Sequence, residues 1–400
     1  MLSVDEALKT IIAAAAAPRT GRISIEAGLS RVLARDVAAA IDQPPFRASA
    51  MDGYAVRFAD MRVGASLAVI GEAAAGAPFP RDVAPGEAVR IFTGGAVPKG
   101  ADHVVIQEDV KRDGDRITIS EAQSAPANIR EAGIDFRCGD RLKKKGERLA
   151  AIDLGLIASA NVASIDVFRK PNVAFFDNGD ELREPGSALR HGEIVGSNRF
   201  ALEAMIAEWG GVPVYLGRAG DDPHAIRIKF EQARDADILV AIGGASVGDR
   251  DHVRGAFAAA GGEIMFSKIA VRPGKPTWFG RLGGTRLLGL PGNPASAVVC
   301  AILFLRPLIK ATAGERRNEK IIRAAAADAL KANGPRETYL RGRIAANDDG
   351  RLIAHCAGNQ DSSLFSPLVA GNCLIRRAAG AAETAQGELV DCLLYAPLDA

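Results

Sequence analysis

Residues 238–251 read ILVAIGGASVGDRD. An unbroken β-branched and apolar run of this kind suits a strand buried on both faces. The Gly-Gly-x-Ser-x-Gly turn after it lets backbone N–H groups crowd around an anion, and the two acids that close the segment can hold a cation. On its own, such a turn more often serves tight packing than ligand binding. The chain around it strengthens the ligand reading. KIAVRPGKP at 268–276 supplies Lys268, Arg272 and Lys275, and LLGLPGNPASA at 287–297 ends a strand at Pro291, turns through Gly292 and Asn293 and opens a helix near Pro294. Two strand ends thus carry Gly/Pro turns, and in an open α/β sheet ligands bind outside such ends.

Working outward, the chain from Asn172 alternates strand and helix. NVAFF, VPVYLG and ILVAIGG read as strands, and SNRFALEAMIAEWGG, DDPHAIRIKFEQARD and DHVRGAFAAAGG as the helices between them. That alternation predicts a mostly parallel sheet covered on both faces. Acids follow its strands: Asp180-Glu181, Asp221-Asp222, and Asp249 with Asp251. Asp222, before Pro223, also suits a helix N-cap.

Upstream, residues 3–17 read as a helix with Ser3 as N-cap and Glu6 closing a capping box, and Ile25 to Leu33 as a second helix. Pro44-Pro45 leads to Met51-Asp52-Gly53-Tyr54 at an exposed turn, and residues 63–120 are rich in short strands. FTGG at 92–95 is a second glycine turn with a hydroxyl, and NIREAGIDF at 128–136 reads as a loop. A helix in DLGLIASANVA at 153–163 returns the chain to the first segments, which makes the β-rich module an insertion. Beyond Thr312, short alternating strands form a separate β unit. The predicted organisation is a discontinuous linker domain (1–45 and 140–170), an inserted β-rich domain (46–139), an α/β domain (171–312) and a C-terminal β-barrel-like domain (313–400).

Composition narrows the function. Fifty Lys and Arg against 48 Asp and Glu argue against a general nucleic-acid binder. Five scattered cysteines with no CxxC pair argue against a disulfide framework and fit a reducing cytoplasmic setting. No basic stretch precedes IIAAAAAP near the N-terminus, and the apolar run Ala295 to Leu305 reads as too short for a bilayer, so no membrane association is expected. Neither a Walker A motif nor a GxGxxG after the strand at Asn172 is present, which disfavours an unrelated nucleotide-dependent enzyme.

Taken together, SAMDGYAV at 49–56, RIFTGGAVPKGADHVVIQED at 90–109, NIREAGID at 128–135, GDEL at 179–182, SNRF at 197–200, DDP at 221–223, GGASVGDRD at 243–251, KIAVRPGKP at 268–276 and GLPGNPASA at 289–297 resemble the molybdopterin molybdenumtransferases. These are the MoeA-type proteins, which the E domain of gephyrin also resembles. GPRETYLRGRI at 334–344 and SSLFSPLVAGNCLI at 362–375 extend the match to the terminal unit.

The resemblance implies four domains, a homodimer with a site shared between protomers, and insertion of molybdate into molybdopterin-adenylate with release of AMP, assisted by Mg²⁺. It implies catalytic roles for Asp52, Thr93, Asp135, Glu181, Asp251 and Lys268, with Glu181 and Asp251 at the metal. Cofactor-binding roles fall to Gly243, Gly244, Ser246, Gly248, Asp221, Arg272, Lys275, Pro291 and Pro294. A cytoplasmic setting goes with the same likeness, with a molybdoenzyme or cofactor-delivery proteins as candidate partners. The chain departs from the family pattern at Asp177-Asn178, where Ser-Thr is usual, at Val195-Gly196, at Ile242 and at Arg272. These departures leave open an alternative, a catalytically weakened paralogue that carries molybdopterin as a scaffold.

Overall fold

The computed structural model describes residues 1–244, 252–315 and 321–398. Its central unit runs β1 (Asn172–Asn178), α1 (Asn198–Glu208), β2 (Val212–Ala219), α2 (Pro223–Gln232), β3 (Ile238–Ile242), α3 (His252–Ala259), β4 (Glu263–Phe266), β5 (Trp278–Leu282), β6 (Thr285–Leu290) and α4 (Pro294–Thr312). The sheet order is β2-β1-β3-β6-β5-β4, parallel through β6, with β5 antiparallel to both β6 and β4. The expected mostly parallel three-layer arrangement is therefore present.

The layers follow from strand periodicity. Val173 and Phe175 of β1 pack with Leu202 and Ile206 of α1 on one face, while Ala174 and Phe176 pack with Ile226 and Phe230 of α2 and Phe257 of α3 on the other. With both faces covered, β1 and β3 can be apolar at every position, which is why the sequence shows runs rather than alternation. Asp222 caps α2 by accepting from the N–H groups of His224 and Ala225 at 3.1 Å each, as its place before Pro223 predicts.

Helix α4 is longer in its apolar character than the sequence reading allowed. It continues through a π-helical stretch, Ala301–Leu305, and past Pro307, and it is long and apolar enough to cross a membrane by length and composition. In this fold 83% of its apolar window is buried inside the protein, against the sheet, the N-terminal helix and the C-terminal strands. The wider turn adjoins the position where proline withholds its N–H from the helix ladder.

The N-terminal helix spans Val4–Ala14 with the expected capping box: Ser3 N–H donates to Glu6 Oε2 at 2.8 Å, and Glu6 N–H to Ser3 Oγ at 3.2 Å. Val4, Ala7 and Ile11 join the core of the central unit, although the sequence reading grouped this segment with the linker. The second helix expected over Ile25 to Leu33 does not form. One 3-10 turn, Ile25–Ala27, ends at Gly28, and Val32 and Leu33 make β-bridges to Arg148 and Val167 instead. Long-range pairing overrides local preference here.

Around the central unit, Thr20–Ser24 pairs with Ser164–Phe168, Val37–Ala38 with Arg141–Lys143, and Ala48–Ser49 with Ile129–Arg130. Outgoing and returning chain are thereby zipped together beneath an inserted six-stranded sheet, Gly53–Val56 to Arg116–Ile119. At the C-terminal end, the strand Glu337–Ala346 pairs through its first half with Cys373–Arg377 and through its second half with Leu352–Cys356, which closes a ring of five strands. All five cysteines are free.

Candidate functional site

The site grows from the carboxyl ends of β1 and β3. From β1 the chain crosses to β2 on one side, and β3 then returns to the other side, so the crevice between them is the topological switch point of the sheet. Ile242 is followed by Gly243 and Gly244, with φ of 85° and 66°. A Cβ on Gly243 would lie 2.5 Å from the Asn178 carbonyl oxygen, and one on Gly244 2.4 Å from Val253 Cγ2. Only glycine fits this turn without moving β1 or α3. Gly243 N–H donates to Leu290 O at 3.0 Å, which fastens the turn to the end of β6.

The neighbouring turn, Pro291 to Asn293, opens α4 at Pro294. Its Gly292 carbonyl accepts from Asn198 Nδ2 at 2.7 Å, and Asn293 Nδ2 donates to Ser362 Oγ at 3.0 Å. On β1, Asn178 is buried and donates to Asp221 Oδ1 at 2.8 Å, while its own Oδ1 has no partner among the described residues. Asp221 N–H reaches Asp180 Oδ1 at 3.4 Å. Glu181 is exposed and folds over Gly179, where a Cβ would meet its carboxylate at 2.6 Å. The structure thus gathers Gly243, Gly244, Asp221, Glu181, Pro291 and Pro294 at one edge of the sheet. Ser246, Gly248 and Asp251 lie outside the described residues.

The basic residues go elsewhere. Val271–Arg272 pairs in parallel with Glu337 and Thr338 of the C-terminal unit, which carries Arg272 and Lys275 into a cavity of about 920 Å³ shared with Ser296, Arg341, Gln360 and Ser362. Gly243 and Gly244 do not line it. Arg341 is 1% exposed, and burial pulls its guanidinium pKa down; one Nη donates to Asp361 O at 2.9 Å. Lys268 is half-buried, its carbonyl accepting from Leu2 N–H at 3.3 Å. The sequence reading placed these cations at the glycine turn and did not assign Ser296, Arg341 or Ser362. The sequence signals for them are the family-like motifs GLPGNPASA for Ser296, GPRETYLRGRI for Arg341 and SSLFSPL for Ser362.

In the inserted sheet, Asp52 Oδ1 accepts from both the N–H and the hydroxyl of Thr93, each at 2.8 Å. These two bonds hold the Asp52 carboxyl below its ordinary range. Asp135 is exposed, its N–H donating to Gln43 O at 3.0 Å. Among the described residues, no hydrogen bond or ion pair joins Asp52, Thr93 or Asp135 to Glu181. Nor do three His, Cys, Asp or Glu side chains converge as a metal cage among those residues. The described part of the edge offers carboxylates and the Asn178 amide oxygen, a hard-oxygen set of the kind that takes Mg²⁺ together with several waters.

A model of the MoeA N-terminal region (domain I and II) matches residues 2–161, one of a probable molybdopterin binding domain residues 178–311, and one of the MoeA C-terminal region (domain IV) residues 323–395. The chain is 34% identical over 98% of both chains to the molybdopterin molybdenumtransferase of Haemophilus influenzae, and 34% identical over 85% of its length, and 80% of that protein's, to the one from Nostoc. A crystal structure of a molybdopterin biosynthesis protein from Pyrococcus horikoshii superposes with a TM-score of 0.85 at 30% identity, covering 99% of this chain and all of that one.

Proposed function

Because the chain belongs to the molybdopterin molybdenumtransferases, enzymes of molybdenum cofactor biosynthesis, we propose that its own reaction is transfer of molybdenum from molybdate to adenylylated molybdopterin, with release of AMP assisted by Mg²⁺ in the cytoplasm. The observation that carries this reading is the switch-point crevice, where the Gly243-Gly244 turn lies beside Glu181 and Asp221. Backbone at a positive-φ turn suits a phosphate, and the carboxylates suit a hard cation beside it.

Glu181 and Asp251 would hold Mg²⁺, which when bound neutralises charge developing on the phosphoanhydride. Asn178 fixes Asp221 at the rim. The cavity bearing Arg272, Lys275, Ser296, Arg341 and Ser362 supplies charge and hydroxyl donors of the kind a tetrahedral dianion such as molybdate needs. Asp52, Thr93 and Asp135 are exposed and, among the described residues, make no hydrogen bond or ion pair with Glu181. We assign them to the site of a second copy, which makes the working unit a homodimer.

The test is AMP release from adenylylated molybdopterin with Mg²⁺, with and without molybdate. Molybdate-dependent release is expected, and Glu181→Ala should lower it on the order of 100-fold. Turnover unchanged in Glu181→Ala would show the assignment of the rim to be wrong. Tight binding without release would favour a carrier of molybdopterin instead.

A further inference from the structure

Beside the crevice, on the α1 face of the sheet, lies a cavity of about 320 Å³ that the reaction above does not use. It is lined by Asp177, Arg183, Glu184, Arg199, Tyr215 and Arg218, among others. Asp177 sits where β1 bulges against β2: the register shifts between Phe175 and Asp177, and Asp177 comes to face Arg218. Side chains alternate along a strand, so Asp177 points opposite to Asn178 and away from the glycine turn.

Asp177 is 4% exposed as a residue, yet among the described residues its carboxyl accepts a single hydrogen bond, from Tyr215 Oη at 3.3 Å. The surrounding cations are engaged with other groups. Arg199 donates to Glu184 at 2.7 Å and is stacked between Phe200 and Tyr215, 3.9 and 4.7 Å from their ring centres. Arg183 pairs with Glu193, and Arg218 donates to Leu182 O. Arg199 Nε is buried with no partner among the described residues. Burying a carboxyl with so little compensation is expensive, and proteins seldom leave such a group without donors. The missing partner is therefore a ligand that brings its own.

We propose that this cavity receives the 2-amino-4-oxopyrimidine edge of the pterin ring, Asp177 accepting its amino and ring N–H groups while the adjoining carbonyl faces a guanidinium. The assignment rests on the reading of the chain as a molybdopterin enzyme. Two parallel N–H donors on a flat ring match the two oxygens of one carboxyl group. The cavity is small but falls within the roughly 300–1,000 Å³ range of ligand sites. Position supports the match. Asp177 is the register partner of Ile242, the residue before Gly243, on strands about 5 Å apart, so cavity and glycine turn lie at the same end of the sheet. A ligand with its pterin at Asp177 can carry its phosphates to Gly243. On this account Asp177, where the family usually has serine, determines how the ring is held.

The experiment titrates the full-length protein with free pterin and with lumazine, which has a carbonyl in place of the amino group, following ligand fluorescence. Pterin should bind at least roughly tenfold tighter than lumazine. Asp177→Asn and Asp177→Ser, checked as folded by near-ultraviolet circular dichroism, should lose that preference and at least roughly tenfold in pterin affinity. Equal binding of the two ligands, no pterin binding by the unmodified protein, or unchanged pterin affinity in a folded Asp177 variant would each overturn the pocket. AMP release on the same preparations separates the two readings. Release with an Asp177-independent pterin affinity removes the pocket and keeps the reaction, whereas Asp177-dependent pterin binding without release does the reverse.

Discussion

Gly53→Ala should cost the inserted β unit about 3–5 kcal/mol, enough to unfold it near physiological temperature. Gly53 opens the strand Gly53–Val56, which lies between Glu87–Ile91 and His103–Ile106. A Cβ there would stand 2.0 Å from Val105 O, 2.9 Å from Val105 C and 3.0 Å from Ile106 Cα. All three are backbone atoms of the paired strand, so no rotamer change relieves the overlap, and the ladder itself must open. Gly53 also follows Asp52, whose carbonyl accepts from Gln107 N–H at 3.2 Å and whose carboxylate is tied to Thr93. Spreading the strands would therefore disperse the Asp52–Thr93 pair, and turnover should fall with stability. Thermal denaturation and limited proteolysis within residues 53–119 measure the effect. Gly114→Ala is the comparison: its φ is 54° but its Cβ would meet nothing within 4 Å, so only the backbone strain of roughly 1–2 kcal/mol remains. Equal losses in the two variants would show that the contact with Val105 is not the cause.

The parts of this fold that could be read from sequence are those in which local pattern and tertiary environment agree. NVAFF and ILVAI are apolar throughout because helices cover both faces of the sheet, and Ser3, Glu6 and Asp222 announce helix starts through hydrogen bonds made within three residues. What escaped depends on distant partners. Ile25 to Leu33 has the composition of a helix but is claimed by bridges to Arg148 and Val167. Arg272 and Lys275 look like neighbours of the glycine turn, yet two residues of pairing with Glu337 and Thr338 carry them to the C-terminal unit, and nothing within residues 268–276 encodes that. For the same reason Arg341 and Ser362, far along the chain, went unassigned. Asp177 and Asn178 stood out as departures from a family pattern, and period two places them on opposite faces. Only the structure shows that one braces Asp221 while the other is buried beneath Tyr215.

That burial leads to the second large expected effect, a stability that falls as pH rises. Burial pushes the Asp177 carboxyl up from 3.8 to about 6, with Glu184 adding to the rise and Tyr215, Arg199 and Arg218 opposing it. The native state thus binds the proton more firmly than the unfolded chain. Its stabilising contribution is fully present below about pH 4 and is lost as pH rises through about 6. At pH 8 the ionised, buried carboxylate costs on the order of 3 kcal/mol. Asp177→Asn keeps the shape and removes the charge, so it should raise the denaturation temperature at pH 8 and change it little at pH 4, as scanning calorimetry at the two values would show. A loss of stability at pH 8 would mean that Tyr215 and the arginines compensate the carboxylate more fully than the geometry indicates. If instead the variant is more stable at pH 8 and at the same time loses pterin, the two results explain each other. A carboxylate that the protein folds more easily without is retained because a ligand supplies the hydrogen bonds that the protein does not.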